Sequence, residues 1–217
     1  MSFADLFPGV HAFRNRAEAG KRLARRLAPY KGQDVLVLGI PRGGVPVAAE
    51  IARRLEAELD VVVARKLGAP QQPELAIGAV TSSGGRYLNE ALIRETGATD
   101  EFLEMASAYE MGEAREREER LRGGRPPPRV EGRVVIVVDD GLATGATMRA
   151  AVRSLREQQP SRLIVAIPVA PPQTCAALRG EADEVVALLE PEPFVAVGIH
   201  YRDFTPTSEQ EVQDLLR

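Results

Sequence analysis

Residues 134–148 read VVIVVDDGLATGATM. The run Val134, Val135, Ile136, Val137 and Val138 is wholly β-branched and predicts a strand buried on both faces, as inside a parallel sheet. Asp139 and Asp140 follow at its carboxyl end, then a loop with two glycines and two threonines. The apolar spacing of residues 148–157 (MRAAVRSLRE) predicts a helix behind that loop. Gly141 and Gly145 let the backbone turn tightly and approach a ligand closely. Amides of residues 144–147 would point out of the helix's first turn, where unpaired N–H groups and the positive dipole end bind phosphate. Thr144 and Thr147 add hydroxyl donors. Ionised carboxylates only accept hydrogen bonds, so Asp139 and Asp140 suit neighbouring hydroxyls, or waters on a magnesium ion, better than a phosphate. The stretch therefore reads as a site for a ribose 5-phosphate. A Walker loop is excluded because Ala146 stands where its lysine is required, and the dinucleotide pattern G-x-G-x-x-G is absent.

Nearer the start of the chain, residues 34–40 (DVLVLGI) form a second buried strand that runs into Pro41, Arg42, Gly43 and Gly44, with a helix expected over residues 45–55. An arginine beside two glycines at a helix start places a cation next to exposed amides, which suits a polyanion. Residues 60–64 (DVVVA) read as a third buried strand, with Arg65 and Lys66 at its carboxyl end, where ligands gather in open α/β sheets. Strands over residues 162–168 and 184–189 flank a short helix over residues 171–178. The repeated strand-then-helix order predicts an α/β fold: a mainly parallel twisted sheet with helices on both faces.

Three further segments decorate that sheet. Asn15 to Glu18 is a capping box opening a helix to about residue 28, ended by Pro29. Residues 67–130 read as a flap plus a charged helical insertion. They hold a turn-rich loop at 68–73, a short strand at 74–80, a turn at 82–85, helices over 89–96 and 100–122, and the linker GGRPPP. The second helix alternates Glu and Arg, the pattern of a solvated face. Residues 190–217 form a small C-terminal segment in which Phe194, Tyr201 and Phe204 cluster and Ser208 caps a last helix.

Composition narrows the class. With 217 residues and 44% hydrophobic content, one sizeable core and a single domain over residues 1–217 are expected. No apolar run approaches a membrane span and no secretory signal opens the chain, so a cytoplasmic protein without a membrane partner is expected. A net charge of −3 argues against a nucleic-acid partner. The single Cys175 excludes an intramolecular disulfide, and His11 and His200 are too few for a zinc site.

Residues 134–147 closely resemble the signature of the type I phosphoribosyltransferases, which use phosphoribosyl pyrophosphate (PRPP). The resemblance assigns Asp139 and Asp140 to the ribose hydroxyls, and through them and water to Mg²⁺, the implied cofactor. It assigns Ala143, Thr144, Gly145, Ala146 and Thr147 to the 5-phosphate. Pro41, Arg42, Gly43 and Gly44 resemble the family's pyrophosphate loop, which often holds a cis peptide, here between Pro41 and Arg42. Arg65 and Lys66 resemble basic residues that reach the same pyrophosphate. Asp139, Asp140 and Arg42 are the implied catalytic residues. Phe194, Tyr201 and Phe204 fall where family members build a hood over the acceptor base.

The resemblance implies transfer of ribose 5-phosphate to a nitrogen acceptor, a nucleobase first among candidates, with release of pyrophosphate, in a homodimer or higher homo-oligomer. A PRPP-sensing regulator without catalysis, or an enzyme acting on another ribose-phosphate compound, are the alternatives. Two departures bear on the choice. Ala143 stands where 6-oxopurine enzymes carry an aspartate base, and no lysine follows Lys66, so Arg86 would have to replace a flap lysine.

Overall fold

The computed structural model describes residues 12–217. Its central sheet has five strands: β1 (Val35–Gly39), β2 (Glu58–Val61), β6 (Val134–Val138), β7 (Arg162–Val169) and β8 (Glu184–Leu189). They lie in the order β2-β1-β6-β7-β8, and every pairing is parallel. β1 and β6 are side by side with Val37 opposite Ile136, and every residue of both is buried. The α/β fold expected from the repeated strand-then-helix order is the one observed.

Period-two alternation gives each face of this sheet its own core. Leu36, Leu38, Val135, Val137, Leu163 and Val165 pack with Met148, Val152 and Leu155 of α5 (Ala146–Glu157) and with Cys175 and Leu178 of α6 (Pro172–Arg179). Val35, Val37, Ile136, Val138, Ile164 and Ala166 pack on the other face against Leu23 of α1 (Arg16–Arg26) and Val47, Ile51 and Leu55 of α2 (Gly44–Leu55). After β1 the chain crosses one face to β2; after β6 it crosses the opposite face to β7. The β1/β6 boundary is therefore the topological switch point, and its crevice lies outside the two carboxyl ends. The loops 40–43 and 139–145 both leave the sheet there.

The third strand departs from expectation. β2 ends at Val61, and residues 64–69 start a second, antiparallel sheet. It consists of β3 (Ala64–Ala69), β4 (Gln72–Thr81) and β5 (Arg86–Leu88), in that order. The reason lies in what captures the chain between the two sheets. Val62 N–H still donates to Gly39 at 3.2 Å, but Val63 N–H donates to the Glu118 carboxylate at 2.9 Å. Arg65 and Lys66 thus stand on β3 and not at the carboxyl end of a parallel strand. The stretch expected as a flap is this packed sheet, with Leu67, Ile77, Ala79 and Val80 buried.

The helices α3 (Glu90–Thr96) and α4 (Asp100–Arg122) follow as expected, capped by Asn89 and Thr99. α4 is not simply solvated. Glu118 and Leu121 are buried, and Glu118 accepts from Ser82 Oγ at 2.7 Å as well as from Val63. Arg122 bridges Glu118 to both oxygens of buried Asp60. This network ties helix, parallel sheet and antiparallel sheet together. A buried carboxylate whose partners are aimed at it is strongly destabilised by loss of its charge. Glu118→Gln is expected to lower the melting temperature by about 4–8 °C, the equivalent of about 2 kcal/mol in a chain of this size, with little effect on ligand affinity. Thermal unfolding with and without PRPP checks both halves.

Candidate functional site

The crevice at the switch point gathers the residues singled out in the sequence. α5 starts after Gly145, whose φ of 72° is left-handed and suits glycine. Among the described residues, none of the backbone N–H groups of 143–147 finds a protein acceptor. These are the orphan donors of a helix start, reinforced by its dipole. Thr174 Oγ donates to the Ala143 carbonyl at 2.7 Å, which braces the loop from α6. Ala143 and Thr144 are exposed and Thr147 is half-buried, so the loop presents itself to solvent.

Across the crevice, loop 40–43 lies directly against the acidic pair. The Pro41–Arg42 peptide is cis. A side chain on Gly43 would overlap Asp140 Oδ2, and a Cβ on Gly44 would meet the Val138 carbonyl at 2.5 Å and Asp139 Oδ1 at 3.2 Å. A Cβ at Gly44 would collide with backbone and one at Gly43 with the Asp140 carboxylate, so both glycines let the two loops close on each other. Arg42 is exposed and, among the described residues, pairs with no carboxylate. Lys66 is exposed, whereas Arg65 is held by Glu110 of α4 at 2.5 Å.

The two carboxylates are crowded. Asp139 Oδ1 accepts the Asp140 N–H at 2.8 Å. Burial lifts the Asp139 carboxyl well above the usual range, and the neighbouring Asp140 charge adds to it. Burial raises Asp140 as well, with the Arg16 guanidinium pulling it back. Arg16 Nε donates to Asp140 Oδ2 at 2.7 Å, so one positive charge serves two carboxylates. The two carboxyls also face each other, and among the described residues no other side chain donates to Asp139 Oδ2 or Asp140 Oδ1. Two hard oxygens short of positive charge fit a magnesium ion. No cluster of three or more metal-ligating side chains exists among the described residues, so such an ion would take most of its oxygens from the ligand and from water.

The aromatic trio is redistributed. Tyr201 is buried, with its ring against Phe13 at 5.3 Å and Phe204 at 5.0 Å, and it donates its hydroxyl to the Asp140 carbonyl at 2.6 Å. Phe204 has Tyr201 on one side and the Arg16 guanidinium 4.0 Å from its ring centre. Both rings are thus engaged in packing, with Phe13, with each other and with the Arg16 guanidinium. Packing decided the matter, because Phe13 pairs with Tyr201 and draws the aromatics inward. Phe194 is half-buried and stacks on His200 at 6.1 Å.

An α/β domain with two helix starts converging on a carboxylate pair at its switch point places this chain among the open-sheet proteins that bind ligands outside their strands' carboxyl ends. The chain belongs to the phosphoribosyl transferase domain family, whose model matches residues 10–201. It is 46% identical over 200 residues to Rv0571c of Mycobacterium tuberculosis, a protein named only provisionally as a phosphoribosyl transferase. That match covers 92% of this chain, and the chain spans about 45% of the relative's length. It is also 46% identical to TT1426 of Thermus thermophilus, with a TM-score of 0.80 over 94% of this chain and 97% of that one. The AQ2163 protein of Aquifex aeolicus shares the fold alone, at 12% identity and a TM-score of 0.50 over 80% of this chain and 73% of that one. Among the described residues, no helix is long and apolar enough to cross a membrane.

Proposed function

We propose that this domain binds PRPP and transfers its ribose 5-phosphate to a nitrogen acceptor, releasing pyrophosphate. The observation that carries the reading is the convergence of two loops on one carboxylate pair. Open amides at 143–147 and the arginine–glycine turn at 41–44 leave neighbouring strands at the same end. In this reading the 5-phosphate lies on the α5 start, Asp139 Oδ2 and Asp140 Oδ1 accept from the ribose hydroxyls, and Arg42 meets the pyrophosphate. Lys66 adds charge from β3; Arg65, tied to Glu110, would have to exchange partners to reach the same anion. A bound Mg²⁺ would neutralise charge developing on the leaving pyrophosphate. The C1–O bond to pyrophosphate breaks, the acceptor nitrogen bonds to C1, and its proton leaves to solvent or to the departing pyrophosphate.

Arg42→Ala is expected to weaken binding of PRPP and of inorganic pyrophosphate by about tenfold or more, while ribose 5-phosphate affinity moves by less than about twofold. Calorimetric titration of the three ligands is the check, and equal losses for all three would remove Arg42 from the pyrophosphate. Turnover is tested by pyrophosphate release from PRPP and Mg²⁺ against a panel of nucleobases and amines. A second reading, PRPP sensing without catalysis, is favoured by Ala143, which offers no side-chain base beside the reaction centre. Tight PRPP binding with no acceptor turned over would select it. Assembly as a homodimer or higher homo-oligomer belongs to the same proposal.

A further inference from the structure

Arg16 was not singled out in the sequence, yet its guanidinium reaches the acidic pair of the crevice. It is the first residue of α1, where the helix dipole disfavours a positive charge and Asn15 already caps the helix. Its side chain leaves α1 to reach a carboxylate 124 positions later in the chain. There Nε donates to Asp140 Oδ2 at 2.7 Å, Nη1 donates to the Thr205 carbonyl at 2.7 Å, and the guanidinium plane lies over Phe204. The side chain is only 11% exposed. Three fixed contacts on one guanidinium suit a group that sets geometry, because the fork cannot rotate without losing one of them.

The choice of oxygen gives the contact its meaning. Arg16 holds the oxygen packed against Gly43 and leaves Oδ1 without a cationic partner among the described residues. Tyr201 fixes the carbonyl of the same residue from behind. We propose that Arg16 is a positioning residue of the PRPP site: by holding Oδ2 of Asp140 it presents Oδ1 to a ribose hydroxyl and makes that presentation depend on the 204–205 segment. The inference rests on the PRPP reading given above. Arg16 acts through Asp140 and need not touch the ligand.

The test uses the full chain, with Arg16→Gln, Arg16→Lys and Phe204→Leu, and titrates each with PRPP in Mg²⁺ and with inorganic phosphate alone. Arg16→Gln is expected to weaken PRPP about tenfold, while phosphate, which needs only the α5 start, changes by less than about twofold. Arg16→Lys returns the charge without the fork and should recover part of the loss. Phe204→Leu leaves both charges in place and loosens the guanidinium, so a smaller loss in the same direction is expected; it also keeps the test alive should Arg16→Gln fold poorly. PRPP affinity unchanged in Arg16→Gln, or PRPP and phosphate lost in equal measure, would overturn the proposal. An unaltered chain that ignores PRPP would overturn the function itself, which is a different result from PRPP bound indifferently to residue 16.

Discussion

Asp139→Asn is expected to make the empty protein more stable at neutral pH while lowering its affinity for PRPP by about tenfold to a hundredfold, the range of a lost charge-assisted hydrogen bond. The sign of the stability change follows from the direction of the shift. The folded Asp139 carboxyl titrates above its unfolded value, chiefly through burial and then through the Asp140 charge. Such a group leaves the fold at full stability below the unfolded value, and stability is lost as pH rises through the folded one. Asparagine carries no charge and keeps an oxygen for the Asp140 N–H, so it is spared that loss. The variant and the parent should therefore melt together in acid and diverge towards neutrality, with the variant higher by about 2–4 °C for each 1 kcal/mol relieved. Melting curves at several pH values, paired with PRPP titrations, measure both effects. A variant less stable than its parent at neutral pH would show that the pair is not strained when empty.

Gly44→Ala should do the larger structural damage. Its Cβ would lie 2.5 Å from the Val138 carbonyl oxygen and 2.9 Å from Asp139 Cα, both backbone atoms of the central strand and its exit. A side chain can rotate away from an intruder; β6 cannot, because it is paired on both sides. Forcing the loop outward separates α2 from β6 and pulls the 41–44 turn off the acidic pair. The expected cost is about 3 kcal/mol or more, at the upper end for overpacking, which corresponds to about 6–12 °C in melting temperature. PRPP binding should be lost in the same variant. Gly43→Ala provides the contrast, since its Cβ would meet the Asp140 carboxylate and Arg16 Nε, which are side-chain atoms able to move. That variant should keep most of its stability and still lose affinity. Equal melting temperatures for Gly44→Ala and the parent would contradict the packing described here.

What was legible in the chain was local. The β-branched run, the carboxylates at its end and the small-residue turn lie within fifteen consecutive positions, and the PRGG turn repeats the same grammar after β1. Period and punctuation suffice for such units, and two of them with similar chemistry imply a shared ligand. The failures were all at long range. Residues 60–64 read as one apolar strand, but Glu118, more than fifty positions on, captures Val63 and turns the chain into a second sheet. Glu118 itself sits in the run REREER (residues 115–120), where nothing in the pattern separates a buried carboxylate from its solvated neighbours. Tyr201 and Phe204 are apolar rings near a site, and only the pairing with Phe13 shows that they face inward. Arg16 left one faint sign: a cation in the first turn of a capped helix is out of place electrostatically, and a residue out of place invites the question of what it meets elsewhere.

The pairing of residues 13–14 with 200–203 carries a consequence beyond packing. Phe13 N–H donates to His200 and Arg202 N–H returns to Phe13, while Tyr201, between them, reaches the backbone of Asp140. Two stretches from far ends of the described chain are thus laced into a single strap, with the acidic pair as its buckle. Tension applied to either stretch, by an immobilising tether for example, would bear on the backbone of Asp140 through Tyr201.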